Sequence, residues 1–445
     1  MLPEYPKASL GGIPEEILVN IATRLRYNRD ALAKLCRTDK RCRRIAEAVL
    51  YECIGPWHSN DHEEAHAISR WPALATNVRA CSYDFDSKLE KESDRDAYID
   101  VLENAHNIQD LKWSDGYFRF KQREMAYRRT CLDFLYKTVA LFNKAVNQPF
   151  GAHNRFKQLK NIEIAVHSLP DGQRFPMETL SSLFQLPSLT SLCLQGLNQV
   201  KPLRNWTVPP STSPIRKLGL WSDLMDITAI TQIIASIKTL ETFEYNYSQI
   251  LWEPSGTEDD QSSTPPKHSW KLLGQAMCQH RDCLNNLLLV PICFPRFPSS
   301  KRDQGVLGSF ADFSKLKQMH VPFEALFHAD ASEDDLLTYL PEQLETFTTR
   351  VLSKDTNTII SCLSMMESLW RHRHDRYIDL SFHFTRVRGS HLRKSPHLFE
   401  ALKLLHASDV QNYVKVDFET FSLYHVLEPD LLEESSEEEE EQGED

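Results

Sequence analysis

A chain of 445 residues, 41% hydrophobic and 10% aromatic, has room for two or three ordinary domains, or for one small module and an extended repeat array. Its formal charge of −11 sits in one place: residues 428–445 hold 11 acids and no Lys or Arg, and without them 51 acids face 51 bases. A neutral body has no general pull toward nucleic acid, and 14 glycines are few for an enzyme built on glycine-rich phosphate loops.

Residues 1–11 lack the basic start and apolar run of a secretory signal and are expected to be flexible. From Gly12 to Cys53 the pattern predicts three short helices. Pro14 suits a first helical turn, and Glu15 and Glu16 follow at the positive end of the helix dipole. Ile13, Ile17, Leu18, Ile21 and Leu25 recur at helical spacing. Asn28 or Asp30 can cap the second helix, which carries Leu32 and Leu35. Thr38 or Asp39 can cap the third, with Cys42, Ile45, Ala46, Val49 and Leu50 on its apolar side. A unit of about 40 residues rarely builds a sufficient core, so its spare apolar surface needs either another protein or the rest of this chain.

The motif Ile13-Pro14-x-Glu16-Ile17-Leu18-x-x-Ile21, with Leu32-x-x-Leu35-Cys36-Arg37, Arg43-Arg44-Ile45-Ala46 and Leu50-Tyr51, resembles the F-box. In that family the module docks on the Skp-family adaptor of cullin–RING ubiquitin ligases. The segment departs from the family at Arg26-Tyr27-Asn28-Arg29, where a Pro-x-x-Asp turn is commoner. The resemblance implies an F-box over residues 12–54 and adaptor contacts through Pro14, Ile17, Leu18, Ile21, Leu32 and Leu35.

Residues 55–427 carry a recurring hexad, apolar at its first, fourth and sixth positions. The clearest cases begin at Leu159, Leu189, Ile215, Leu240, Leu284, Leu316 and Leu344, and weaker ones at Val78, Ile108 and Tyr377. The fourth and sixth positions of a short strand point to one face, so stacked strands would bury them together beneath intervening helices. Candidate helices are Lys121 to Val146, Met177 to Leu186 and Ile227 to Ile237. Residues 253–268 read as a flexible insertion, the stretches 201–214 and 291–305 as proline-rich linkers, and 428–445 as a disordered acidic tail. This body resembles a degenerate leucine-rich-repeat solenoid, in an α/β fold class. It lacks the asparagine usual three residues after each hexad, which leaves an irregular array or another α/β arrangement open.

No phosphate loop, dinucleotide fingerprint, H-E-x-x-H or G-x-S-x-G motif is present. Cys278, His280, Cys283 and Cys293 lack the paired knuckles of a zinc site, and His372 and His374 sit in a mixed charged run. The scattered cysteines read as buried thiols of a reducing compartment. The apolar run 287–294 is too short to span a bilayer. Recognition is therefore expected in place of catalysis, with no cofactor and no metal. Strand residues facing away from the core, above all Trp221, Lys217, Glu244, His320 and Arg350, are the candidate target-binding set, although Trp221 could equally cap the core. Ser435 and Ser436, each followed by acids, suit an acidophilic kinase or belong to a merely solubilising tail. Together these readings imply the substrate receptor of a Skp–cullin–F-box ligase. It would not be an enzyme itself, would work in the cytoplasm or nucleus, and would need neither nucleic acid nor membrane. A repeat-based interaction scaffold without a ligase role is the alternative.

Overall fold

The computed structural model describes residues 12–55, 61–84, 92–114, 125–147, 155–166, 175–197, 199, 201–222, 225–248, 269–293, 305–327, 338–351, 360–362, 364–365, 379–384, 414–418 and 421–422. The expectations for residues 1–11, 253–268 and 428–445, and for His372, His374, Ser435 and Ser436, lie outside them. The chain is α/β and divides into two compact units, Met1–Gly196 and Leu197–Asp445.

The first unit begins with α1 (Glu15–Arg24), α2 (Arg29–Leu35) and α3 (Lys40–Leu50). Asn28 caps α2 by accepting from the Ala31 N–H at 3.1 Å. Asp39 caps α3 by accepting from Arg41 and Cys42, both at 2.8 Å, and these hydrogen bonds hold its carboxyl below the usual range. Leu18, Ala22, Leu32, Leu35, Cys42, Ile45 and Ala46 form the core of the three helices. Arg41 donates to the Ile13 carbonyl at 2.7 Å and Arg44 pairs with Glu15 at 2.7 Å, tying α3 to the start of α1.

The three helices are bonded to the segment that follows them. Strand β1 (Cys53–Ile54) follows α3 at once and pairs with β2 (Ala80–Asp84). Arg26 pairs with Glu52 at 2.7 Å, Arg29 pairs with Glu64, and Arg29 donates to the Cys53 carbonyl at 2.9 Å. The break between compact units falls at Gly196/Leu197. The sheet continues in chain order through β3 (Asp110–Ser114), β4 (Asn161–Ala165) and β5 (Ser191–Gln195), every pairing parallel. The connections hold α4 (Asp61–Arg70), α5 (Glu92–Asn104) and α6 (Met125–Asn147), which is the helix expected over 121–146. Met177–Gln185 winds as a 3-10 helix, closed by bonds such as Thr179 N–H to Pro176 O at 3.0 Å. Its rise of about 2 Å per residue lets nine residues cover the ground an α-helix would need twelve for.

The second unit repeats the plan. Strands β6 (Lys217–Ser222), β7 (Thr242–Ser248), β8 (Asn286–Cys293), β9 (Gln318–Pro322), β10 (Thr346–Val351), β11 (Asp379–Phe384) and β12 (Val414–Phe418) pair in parallel and in chain order. Among the described residues only β13 (Phe421–Ser422) turns back, antiparallel to β12. Helix α7 (Ile227–Ser236), capped by Asp226, leads into β7; α8 (Trp270–Met277) leads into β8; α9 (Phe323–Leu326) follows β9. Each clear hexad lies on a strand. Its fourth position is buried in every clear case, as is its sixth, and the first, from Leu159 to Leu344, is buried just before the strand. Where Thr349 replaces the third apolar residue, its buried hydroxyl donates to the Val321 carbonyl at 2.9 Å.

Backbone bonds link the strand starts: in several hexads the carbonyl one residue after the first position accepts two N–H groups from the next strand's start. Arg216 O takes Glu241 and Thr242, Glu241 O takes Asn285 and Asn286, Asn285 O takes Lys317 and Gln318, and Lys317 O takes Glu345 and Thr346. The first unit does the same at Glu52, Arg79, Gln109 and Lys160. Any residue type except proline can make these bonds, so the ladder leaves no sequence signature.

Candidate functional site

The six residues expected at an adaptor interface fall into two groups. Leu18, Leu32 and Leu35 are buried within the core of the three helices, so their packing holds the helices together and does not offer side chains outward. Pro14, Ile17 and Ile21, spaced i, i+3 and i+7, share the other face of α1. Pro14 is exposed, Ile21 is half-buried and Ile17 is 49% exposed. Val19 (44%) and Tyr27 (82%) are exposed as well, Val19 about 200° around α1 from Ile17, and sequence reasoning passed over both. The anomalous turn Arg26-Tyr27-Asn28-Arg29 was the signal for Tyr27.

The five residues expected at a target-binding face all lie in the second unit. Lys217, Trp221, Glu244, His320 and Arg350 alternate with the buried Leu218, Leu220, Phe243, Tyr245, Met319, Val321, Phe347 and Thr349, and so occupy the side of the sheet away from the core. Register places Gly219 beside Glu244, Leu288 and His320 in one cross-strand row, and Trp221 beside Asn246 and Val290 in the next. Trp221 is half-buried, and its indole nitrogen is buried with no hydrogen-bond partner among the described residues. Asn246 Nδ2 donates to Glu244 Oε1 at 2.8 Å. Asp379 and His383 continue the array on β11, where only the backbone is described.

A cavity of about 680 Å³ lies wholly inside the first unit, with Arg26, Tyr27, Arg29 and Val49 of the helices on one wall. Its floor is the open face of the strands, including Ser82, Lys112, Glu163 and Cys193. Small side chains at outward strand positions (Ala80, Ser82, Ser191, Cys193) make room for it, and that pattern was the overlooked signal. Arg26 pairs with Glu52, Arg29 with Glu64 and Lys112 with Glu163 at 2.8 Å, while Asp110 accepts from the neutral Asn161 amide at 2.5 Å.

Among the described residues no group of three or more His, Cys, Asp or Glu is placed to hold a metal ion. His280 spends both ring nitrogens on backbone: the Leu240 N–H reaches Nδ1 at 3.4 Å and Nε2 lies 3.3 Å from the Ile234 carbonyl. The Cys283 thiol donates to the Leu240 and His280 carbonyls, both at 3.3 Å, and Cys278 is exposed. Burial pushes the thiols of Cys36 and Cys53 up and that of Cys81 to about 12, which keeps them protonated and poor nucleophiles. No helix among the described residues is long and apolar enough to cross a membrane. No family model matches the chain, and no curated protein matches it.

Proposed function

We propose that this chain is the substrate-recognition subunit of a Skp–cullin–F-box ubiquitin ligase. Residues 12–54 would be the F-box and the strand-and-helix body a leucine-rich-repeat-like target-binding domain. The observation that carries the reading is the apolar stripe Pro14, Ile17 and Ile21, of which Pro14 is exposed, Ile17 49% exposed and Ile21 half-buried. The parallel strands in chain order, each with its buried hexad, support a repeat array.

Docking the stripe removes apolar area from water. Fully burying an isoleucine contributes about 1.5–3 kcal/mol, and Ile17 and Ile21 retain only part of that because each is already part-covered. Association entropy offsets some of the gain, so exposed Pro14 is expected to widen the contact. The receptor would act by holding a target beside the ubiquitin-conjugating enzyme, raising its effective concentration, without a catalytic group of its own.

The test is co-expression of the full chain with a Skp-family adaptor. Wild-type chain is expected to co-purify with the adaptor and, through it, with cullin. The double variant Ile17→Asp/Ile21→Asp should remain folded by circular dichroism and lose the adaptor. Absence of capture by wild type, or undiminished capture by the variant, overturns the reading.

A further inference from the structure

The cavity of the first unit holds one charge that the fold leaves unbalanced. Three cations line it, and each already has an anion: Arg26 pairs with Glu52, Arg29 with Glu64 and Lys112 with Glu163. Asp110, exposed at the start of β3, lines the same space. Its carboxylate accepts from the Asn161 amide, and among the described residues no cation pairs with it. Register sets Ala80 on its other side, where a single methyl group leaves the carboxylate uncovered. The lining also keeps apolar surface in water. Val49 and Ala80 are only half-buried, and Tyr27 is 82% exposed.

A space of about 680 Å³ is the size of a small-molecule site, and such sites join apolar walls to a few placed polar groups. We infer that this cavity takes a small organic cation: an apolar or aromatic body that carries one protonated amine. The amine lies on the Asp110 carboxylate, which has acceptor sites to spare beyond its bond to Asn161. The body covers the apolar lining and removes it from water. An anionic head group is disfavoured, because the arginines and the lysine are already held by Glu52, Glu64 and Glu163 and only Asp110 is left to meet it. Adaptor capture plays no part in the test, so this site stands or falls apart from the ligase reading.

The probes are 4-phenylbutylamine, 4-phenylbutan-1-ol and 4-phenylbutanoate, which share a phenylalkyl body and differ in head group. Titration calorimetry on the full chain should show saturable binding of the amine, binding of the alcohol about tenfold weaker, and none of the carboxylate. Asp110→Asn keeps an oxygen for the Asn161 amide. It should weaken the amine about tenfold, leave the alcohol unchanged and leave the melting temperature near that of wild type. The amine should also slow iodoacetamide modification of Cys193 in the cavity floor, with exposed Cys278 of the second unit as the unprotected control. No binding of the amine, equal binding of the alcohol, or indifference to Asp110→Asn overturns the inference. Equal protection of Cys193 by acetyl-Gly-Lys-Gly-amide, an ammonium group without the body, would assign the space to a protein side chain and overturn it too.

Discussion

Ile17 and Leu18 are consecutive on α1 and differ sharply in burial: Ile17 is 49% exposed, and Leu18 is 1% exposed inside the three-helix core. A helix advances about 100° per residue, so one neighbour can hold the module together while the other is left outside. Binding and folding are therefore separable by mutation at adjacent positions.

Leu18→Ala removes a buried side chain and should destabilise the first unit by about 2–5 kcal/mol. Ile17→Ala, on the surface, should stay within about 0.5 kcal/mol of wild type. Urea unfolding followed by circular dichroism distinguishes them, and equal losses would mean that α1 packs differently.

Gly274 lies in α8, where a β-carbon would stand 1.7 Å from the Leu307 carbonyl oxygen and 2.6 Å from its carbon. The helix and the Leu307 backbone touch directly, so neither can give way without moving the chain. Gly274→Ala, which elsewhere in a helix would stabilise, should here lower stability by about 1–3 kcal/mol or more. A gain in melting temperature would show that the close approach is absent.

Thr349→Val keeps the shape of a fully buried side chain but deletes its bond to the Val321 carbonyl. A loss of about 1–2 kcal/mol is expected, because that carbonyl loses its Thr349 donor in a dry interior. An unchanged denaturation midpoint would mean that the hydroxyl contributes nothing.

Asp226 caps α7 by accepting from the Thr228 N–H at 2.8 Å. Asp226→Ala should cost about 1 kcal/mol, and Asp226→Asn, which keeps the acceptor oxygen, less. If the two variants unfold at the same denaturant concentration, the cap is not the reason.

Burial pushes the His280 imidazole below its ordinary value of 6.5, against an upward pull from the Ile234 carbonyl. The unfolded chain therefore binds the proton more readily than the folded one. Stability from neutral His280 is fully present above about pH 6.5 and is lost as pH falls through the lower folded value. Wild type should lose more thermal stability between pH 7.5 and 5.5 than His280→Asn does, as measured by calorimetry; parallel curves would exclude His280 as a titrating contributor.

Much of the strand layout could be read in advance because a strand's two-residue period leaves its mark on side-chain type. Ile162 and Ile164, Leu218 and Leu220, and Met319 and Val321 all alternate inward as expected, and the outward set from Lys217 to Arg350 followed from the same rule. Helix periodicity was less selective. It identified an apolar stripe on α1 but ranked Leu18 with Ile17, because the two are a single helical step apart and both aliphatic. The cavity beneath Arg26 and Arg29 went unnoticed because its wall and floor come from positions as far apart as Tyr27 and Cys193.

Taken alone, the order of residues determined the charge segregation and the hexads, and narrowed the caps of α2 and α3 to two candidates each, since these depend on neighbours within a few positions of one another. Which isoleucine stays wet, where the chain divides into compact units, and that Gly219 faces Glu244 were decided only by the folded chain. Those relations join residues 24 or more apart, and no local rule specifies which distant surfaces meet and which remain open.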